Sequence, residues 1–291
     1  MALSRKIALT VDLEEWTVPQ DFGGRPRAAV PEAVKLEVAR RGLHRLLDIL
    51  SLEQVKATFF VTAYFAQRNL PLLREMLKAG HEIGNHGLDH GPRAGLTWNE
   101  WLEGIRISTH TLEDLLRTKP CGYREPYFAI TKQMIGALIR VGYLYDSSVL
   151  GTWLLSKYRQ WVAVPSSPFV WNSEIERGDA RLVELPVSVF SILRIPVGWW
   201  WFRKNCGELI PSITGELLFR LDQPFITEMH SWELAEVPEG YRTPFHVRYN
   251  CGRSSADQIL HLIRRLKRSG GRFVLMKTLA LEVSKAQNVR L

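Results

Sequence analysis

Cysteine is scarce in this 291-residue sequence: Cys121, Cys206 and Cys251 are the whole complement, and no Cys-x-x-Cys spacing occurs. An odd number at wide spacing argues against a disulfide framework and for a reducing compartment. No apolar run reaches the roughly 18 residues that a membrane-crossing helix needs, so none is expected. The start, MALSRKIALTVDLEEW, lacks an apolar h-region and a small-residue cleavage site, and it is not expected to act as a signal peptide. A cytoplasmic location follows as the expectation. Internal repeats, low-complexity tracts and Ser/Gly-rich linkers are absent as well. One domain over residues 1–291, with a core from about 6 to 276, is therefore expected. No basic–aromatic motif of a nucleic-acid binder is found, so nucleic acid is not an expected partner.

What is present reads as a globular chain. Hydrophobic residues make up 46% and charged residues 23%, which gives ample material for a buried core. The formal net charge is +8 and the sequence pI about 9.5, a balance that favours acidic partners or an anionic membrane surface. The Lys and Arg are scattered, however. The densest run, RRLKR at 264–268, falls on an amphipathic helix and reads as its solvated face.

Short β-type runs alternate with helical runs. KIALTVDL (6–13) reads as a buried strand, 35–51 as a helix, and KATFFVTAYF (56–65) as a strand leading into a helix that ends near 78–80. HEIGNH (81–86) is a third strand. Residues 97–117 place Trp98, Trp101, Leu102, Ile105, Leu112 and Leu115 on one helical face. Further strands are expected to reach GYREPY (122–127), LYDSS (144–148), PFITEMHSW (224–232) and GRFVLM (271–276), with helices near 131–141 and 254–270. The last helix carries a Ser-x-x-Asp start signal at Ser254. Repeated βα units imply a mostly parallel sheet, and about seven of them suggest an α/β barrel rather than an open sheet. In a barrel, chemistry collects at the C-terminal ends of the strands.

The chemically able residues fall there. Asp12 ends the first strand, and Glu14, two residues on, can face the same side; Glu15 points away unless a bulge breaks the alternation. His86 ends the third strand and His90 follows four residues later, so that both can converge on one metal. One carboxylate with two imidazoles leaves open positions, as a catalytic metal site requires. Arg124 and His230 end two further strands. Each alone has an ordinary reading as a turn residue, a solvated histidine or a surface ion pair. Their joint placement at successive strand ends is what points to a site.

These segments resemble the polysaccharide deacetylases of carbohydrate esterase family 4. TVDLEE (10–15), NHGLDH (85–90), YREPY (123–127), YDSS (145–148) and ITEMHSWE (226–233) match the family's motifs in order and spacing. ELPVS (184–188) and IPVG (195–198) further resemble a subgroup linked to exopolysaccharide synthesis. The resemblance implies a distorted (β/α) barrel of about seven parallel strands, fewer than the eight of the full barrel. It also implies a divalent metal, most often Zn2+, held by Glu14, His86 and His90. Asp12 would be the general base for the attacking water and Arg124 its orienting partner. The backbone N–H of Tyr127 would stabilise the oxyanion, His230 would be the general acid, and Asp146 would support His230. The chain departs from the family pattern in two places: Glu14 stands where Asp is commoner, and Gly87 follows His86 where Ser or Thr is common.

VGWWWFRKN (197–205) is unusual. Three successive Trp cannot share one face of a regular element. Core packing, sugar stacking beside a groove, and contact with a lipid carrier or membrane compete, the last with Arg203 and Lys204 meeting phosphates. The reading that emerges is a metal-dependent hydrolase that removes the N-acetyl group from an amino sugar in a polysaccharide or lipid-linked glycan. Peripheral contact with the inner face of the membrane is left open. The alternatives are another C–N amidohydrolase on the same scaffold, such as a deformylase or a cyclic-imide or ureide hydrolase, and a non-catalytic sugar-binding protein.

Overall fold

A computed structural model describes residues 3, 5–18, 30–91, 97–153, 161, 163–171, 181–190, 193–241 and 243–287. Its centre is strand β1 (Lys6–Leu13), buried along its full length. Burial on both faces is why its sequence reads as a nearly continuous apolar run. Leu9, Val11 and Leu13 face an outer core shared with helix α1 (Glu32–Leu52), whereas Ala8 faces an inner core. Thr10 and Asp12, on the same side as Ala8, point towards the strand ends where the site lies.

Around β1 the chain lays down β2 (Thr58–Val61), β3 (Glu82–Asn85), β4 (Gly122–Tyr123), β5 (Tyr145–Asp146), β6 (Phe169–Trp171), β7 (Leu182–Glu184), β8 (Phe225–His230) and β9 (Arg272–Phe273). Their order is β6-β7-β5-β4-β3-β2-β1-β8, with β9 on the first residues of β1. Every pairing is parallel except that of β6 with β7. The distorted α/β barrel expected from the βα alternation is thus present: β7, β5, β4, β3, β2, β1 and β8 form a curled parallel sheet with helices outside. Its seam lies between β7 and β8. The chain between them bridges it: Ser188 N–H donates to the Ile226 carbonyl at 3.0 Å, and Glu228 N–H to that of Gly198 at 2.7 Å.

Helices α2 (Ala63–Arg68), α3 (Leu70–Lys78), α4 (Trp98–Leu116) and α5 (Lys132–Val141) follow β2, β3 and β4. Thr97 and Glu100 form a reciprocal capping box that starts α4, and Trp101, Ile105 and Leu112 are its buried apolar residues. After β7 come α6 (Trp200–Cys206) and α7 (Leu209–Arg220); after β8 come α8 (Phe245–Arg248), α9 (Arg253–Arg268) and α10 (Met276–Ala286). The last of these covers the N-terminal strand ends, where Met276 N–H donates to Thr58 Oγ1 and Lys277 N–H to Glu82 Oε2, each at 3.0 Å.

One local expectation changes. Helix α9 starts at Arg253 behind Gly252, not at Ser254, because the Gly252 amide is already tied to the Glu233 carbonyl at 2.8 Å. The RRLKR run is the surface face expected, and it gains ties to neighbouring elements. Arg264 and Lys267 bond Glu53, and Arg265 bonds Glu216 on α7, while Leu266 is buried between them. Among the described residues no helix is long and apolar enough to cross a membrane.

Candidate active site

The strand ends gather the expected residues into one buried cluster. Parallel register sets Asp12 of β1 beside His230 of β8. Arg124, fully buried just past β4, reaches across the barrel mouth: one guanidinium nitrogen donates to Asp12 Oδ1 and to Thr10 Oγ1, each at 2.8 Å. Its other nitrogens donate to the Ser147 carbonyl at 2.9 Å and to Ser147 Oγ at 2.8 Å. A buried guanidinium is tolerable only when its fork of donors is occupied in this way. The YDSS motif at β5 therefore frames Arg124. Ser148 Oγ, in turn, accepts Glu125 N–H at 2.8 Å and donates to Asp146 Oδ1 at 2.7 Å.

Glu14, His86 and His90 form a second knot. Glu14 Oε2 lies 2.9 Å from His90 Nε2 and 3.5 Å from His86 Nε2, and Asp12 Oδ2 is 3.8 Å from His86 Nε2. Of the two adjacent carboxylates, Glu14 is the one brought to the histidines. Burial alone would raise its pKa, but the charge of His90 and the close approach of the His86 and His90 imidazoles hold it well below the usual carboxylate range. His86 Nδ1 bonds the Arg124 carbonyl at 2.8 Å, which makes Nδ1 the protonated nitrogen and directs the Nε2 lone pair at Glu14. The loop that carries both histidines turns on Gly87, whose φ of 81° disfavours a β-carbon; its amide donates to Asn85 Oδ1 at 2.8 Å. A glycine, where the resemblance leads one to expect Ser or Thr, takes this turn without strain. Tyr127 packs its ring 4.1 Å from that of His90, and its hydroxyl donates to the His90 carbonyl at 3.1 Å.

The donor set fits a divalent cation. Glu14, His86 and His90 each present a ligand atom within 4.8 Å of the others, all three residues are buried, and Glu14 Oε2 and His86 Nε2 have no hydrogen-bond partner. Orphaned acceptors converging in a buried pocket cost free energy unless a cation or water answers them. One carboxylate and two imidazoles suit zinc or a similar ion.

The surroundings of His230 differ from the sequence-based expectation. Asp146 forms no hydrogen bond or ion pair with it; its carboxyl is spent on Ser148 and shares a buried environment with Glu184. The acids at His230 Nδ1 are instead Glu228 and Glu233, each 3.4 Å away. Glu233 is reached because a 3-10 turn (Ser231–Leu234) folds it back onto the His230 amide, at 2.6 Å. Burial would lower the pKa of His230, but the charges of Glu228, Glu233, Glu14 and Asp12 push it up to about 10. Helix α1 can lie against this turn because Gly42 has no side chain; a β-carbon there would come within 1.9 Å of the Ser231 carbonyl oxygen.

The aromatic stretch resolves residue by residue. Trp200 is buried, edge-on to His230 at 5.5 Å and to Trp232 at 5.4 Å, while Trp199 and Trp201 are partly buried and stacked on each other. Arg203 and Lys204 do not face phosphates. Arg203 is buried and pairs with Glu233, and the Lys204 ammonium is enclosed by the Val247 and Tyr249 carbonyls. Helix periodicity turns both inward, because α6 begins at Trp200 with its polar residues on the side facing β8 and α8. Glu228 could have been found from strand alternation, since it lies two residues before His230. Glu233 and Arg203 carried no such signal.

Comparison with known proteins agrees with this architecture. A polysaccharide deacetylase family model matches residues 37–145. A peptidoglycan deacetylase of Helicobacter pylori is 25% identical over 154 residues, covering 50% of this chain and 53% of that protein. A peptidoglycan-N-acetylglucosamine deacetylase of Bacillus cereus is 31% identical over 109 residues, covering 38% and 49%. The matches thus span about half the length of these curated relatives. A putative polysaccharide deacetylase of Mycobacterium smegmatis shares the fold at a TM-score of 0.70 and 21% identity, over 98% of this chain and 91% of its own. These likenesses support the resemblance of the chain to the polysaccharide deacetylases of carbohydrate esterase family 4.

Proposed function

We propose that this protein is a metal-dependent N-deacetylase that hydrolyses the acetamide of an amino sugar within a glycan. The observation that carries the reading is the convergence of three groups at the C-terminal strand ends. They are a buried Asp12–Arg124 pair, the Glu14–His86–His90 cluster beside it, and His230 next to Asp12 on the neighbouring strand. When bound, a divalent cation, Zn2+ by the nature of its ligands, would lower the pKa of water and polarise the acyl carbonyl.

The protein's own groups do the rest. Asp12, oriented by Arg124, takes the proton of the attacking water. The Tyr127 backbone N–H donates to the developing oxyanion. His230, charged at neutral pH by the acids around it, gives its proton to the departing amine. The test is acetate release from defined N-acetyl sugars, free, polymeric and lipid-linked, by metal-reconstituted protein. Release of formate or ammonia instead would place the chain among other amidohydrolases. Glycan binding without any product would make it a binding protein.

A cytoplasmic enzyme held at the inner membrane face is also part of this reading, but α7 supports it better than the Trp stretch does. Leu209, Ile210 and Ile213 are 53%, 43% and 49% exposed on that helix, in a chain of net charge +8. Co-sedimentation with anionic vesicles should fall on Leu209→Glu with Ile213→Glu; unchanged binding overturns this part alone.

A further inference from the structure

We propose that Glu228 is a positioning residue for His230, holding its Nδ1 so that Nε2 points into the reaction centre. The inference rests on the reading of His230 as the proton donor. Alternation along β8 puts Glu228 and His230 on the same side of the strand, facing Thr10 and Asp12 of β1. Glu228 is buried, and its two oxygens have separate tasks. Oε2 accepts the Trp200 N–H at 3.1 Å. That amide opens helix α6 and has no partner inside the helix, so it needs an acceptor and fixes the carboxyl. Oε1 lies 3.4 Å from His230 Nδ1, its nearest charged neighbour, and has no hydrogen-bond partner.

A buried carboxylate oxygen aimed at an imidazole nitrogen is answered by a proton on that nitrogen. With Nδ1 so held, and with Trp200 edge-on and Trp232 stacked at 5.0 Å, the ring has one orientation left. Its Nε2 then lies 3.8 Å from Glu14 Oε1, on the side of the metal-ligand cluster. Glu233 shares the task but is already engaged by the His230 amide and by Arg203. Asp12, Glu228 and His230 also lie close enough to ligate a cation. Yet Asp12 Oδ1 is held by the Arg124 guanidinium, which a second cation would have to adjoin. The proton is the better occupant.

The experiment compares Glu228→Leu, which keeps bulk but removes the acceptor, with Glu228→Gln, which keeps a carbonyl acceptor. Acetate-release kinetics, metal content and 15N NMR of histidine-labelled protein are the readouts. Glu228→Leu should lower kcat about 10–100-fold, the range seen when an orienting partner is lost, with KM and metal content unchanged. Its His230 should lose the defined Nδ1–H state, and Glu228→Gln should recover most of both. Wild-type kcat and an unchanged Nδ1–H state in Glu228→Leu, with only a lower melting temperature, would overturn the proposal. So would two bound metal ions per wild-type chain falling to one in Glu228→Gln, which would make the cluster a cation site. If the leucine variant does not fold, loss of the Nδ1–H state in Glu228→Gln, which keeps the acceptor, overturns it. If no variant and no wild type releases acetate, the deacetylase reading fails, while the NMR comparison still decides the role of Glu228.

Discussion

Around Glu14, His86 and His90 a carboxylate and two imidazoles bring ligand atoms within 4.8 Å of one another; around His230 the chain places the carboxylates of Glu228 and Glu233, each 3.4 Å from Nδ1. The first region comes from short loops after β1 and β3, and its donor set suits a divalent cation. The second is built from β8, the turn after it and α6. It carries its own counter-charges: Glu228 and Glu233 face His230, and Arg203 faces Glu233. Converging carboxylate and imidazole ligand atoms suit an ion, whereas acids gathered around one imidazole suit a proton on it. The difference separates a site that binds from a site that positions.

The largest effect should come from emptying the first region. His86→Ala should lose both the bound divalent cation, measured by elemental analysis, and detectable turnover; retention of either breaks the contrast. Asp12→Asn and His230→Ala should each reduce kcat by about 10²–10⁴-fold, the usual worth of a general base or acid, with cation content near wild type. Loss of the cation in His230→Ala would show that the two regions are one.

Arg203→Met strands a buried Glu233 and should cost about 3–5 kcal/mol in urea unfolding. Wild-type stability would mean that the acid side is not self-sufficient. The smallest effect concerns Asp146. Burial, the largest influence, lifts its carboxyl from 3.8 to about 6. A carboxyl whose pKa is higher folded than unfolded contributes fully below the unfolded value and loses that contribution as pH rises through the folded one. Stability should thus fall by up to about 3 kcal/mol between pH 4 and 6, at roughly 1.4 kcal/mol per pKa unit, and Asp146→Asn should flatten that slope. An unchanged slope would return Asp146 to the list of candidates for a role elsewhere in the site.

The sequence was most readable where one strand and its following loop hold the information. Period-two alternation put Asp12 and Glu14 on one side, and the four-residue spacing of His86 and His90 announced a shared partner. The positions of the strands were legible for the same reason, because their apolar runs are short and bounded. Contacts between distant segments were not readable. The motif around Asp146 looked like support for His230 and proved to frame Arg124 through Ser147 and Ser148. Of the three readings open for the Trp stretch, the one in which Arg203 and Lys204 meet phosphates gives way to buried ties.

By itself the sequence determined the βα order, the barrel-type sheet and the identity of the residues at its strand ends, since these follow from local periodicity. Only the tertiary structure decided which acid faces His230. That choice depends on how the 3-10 turn folds Glu233 back and how α6 pins Glu228 through the Trp200 amide. A carboxylate acts on a histidine through a few ångströms of space, and local sequence pattern does not specify which distant segments come that close.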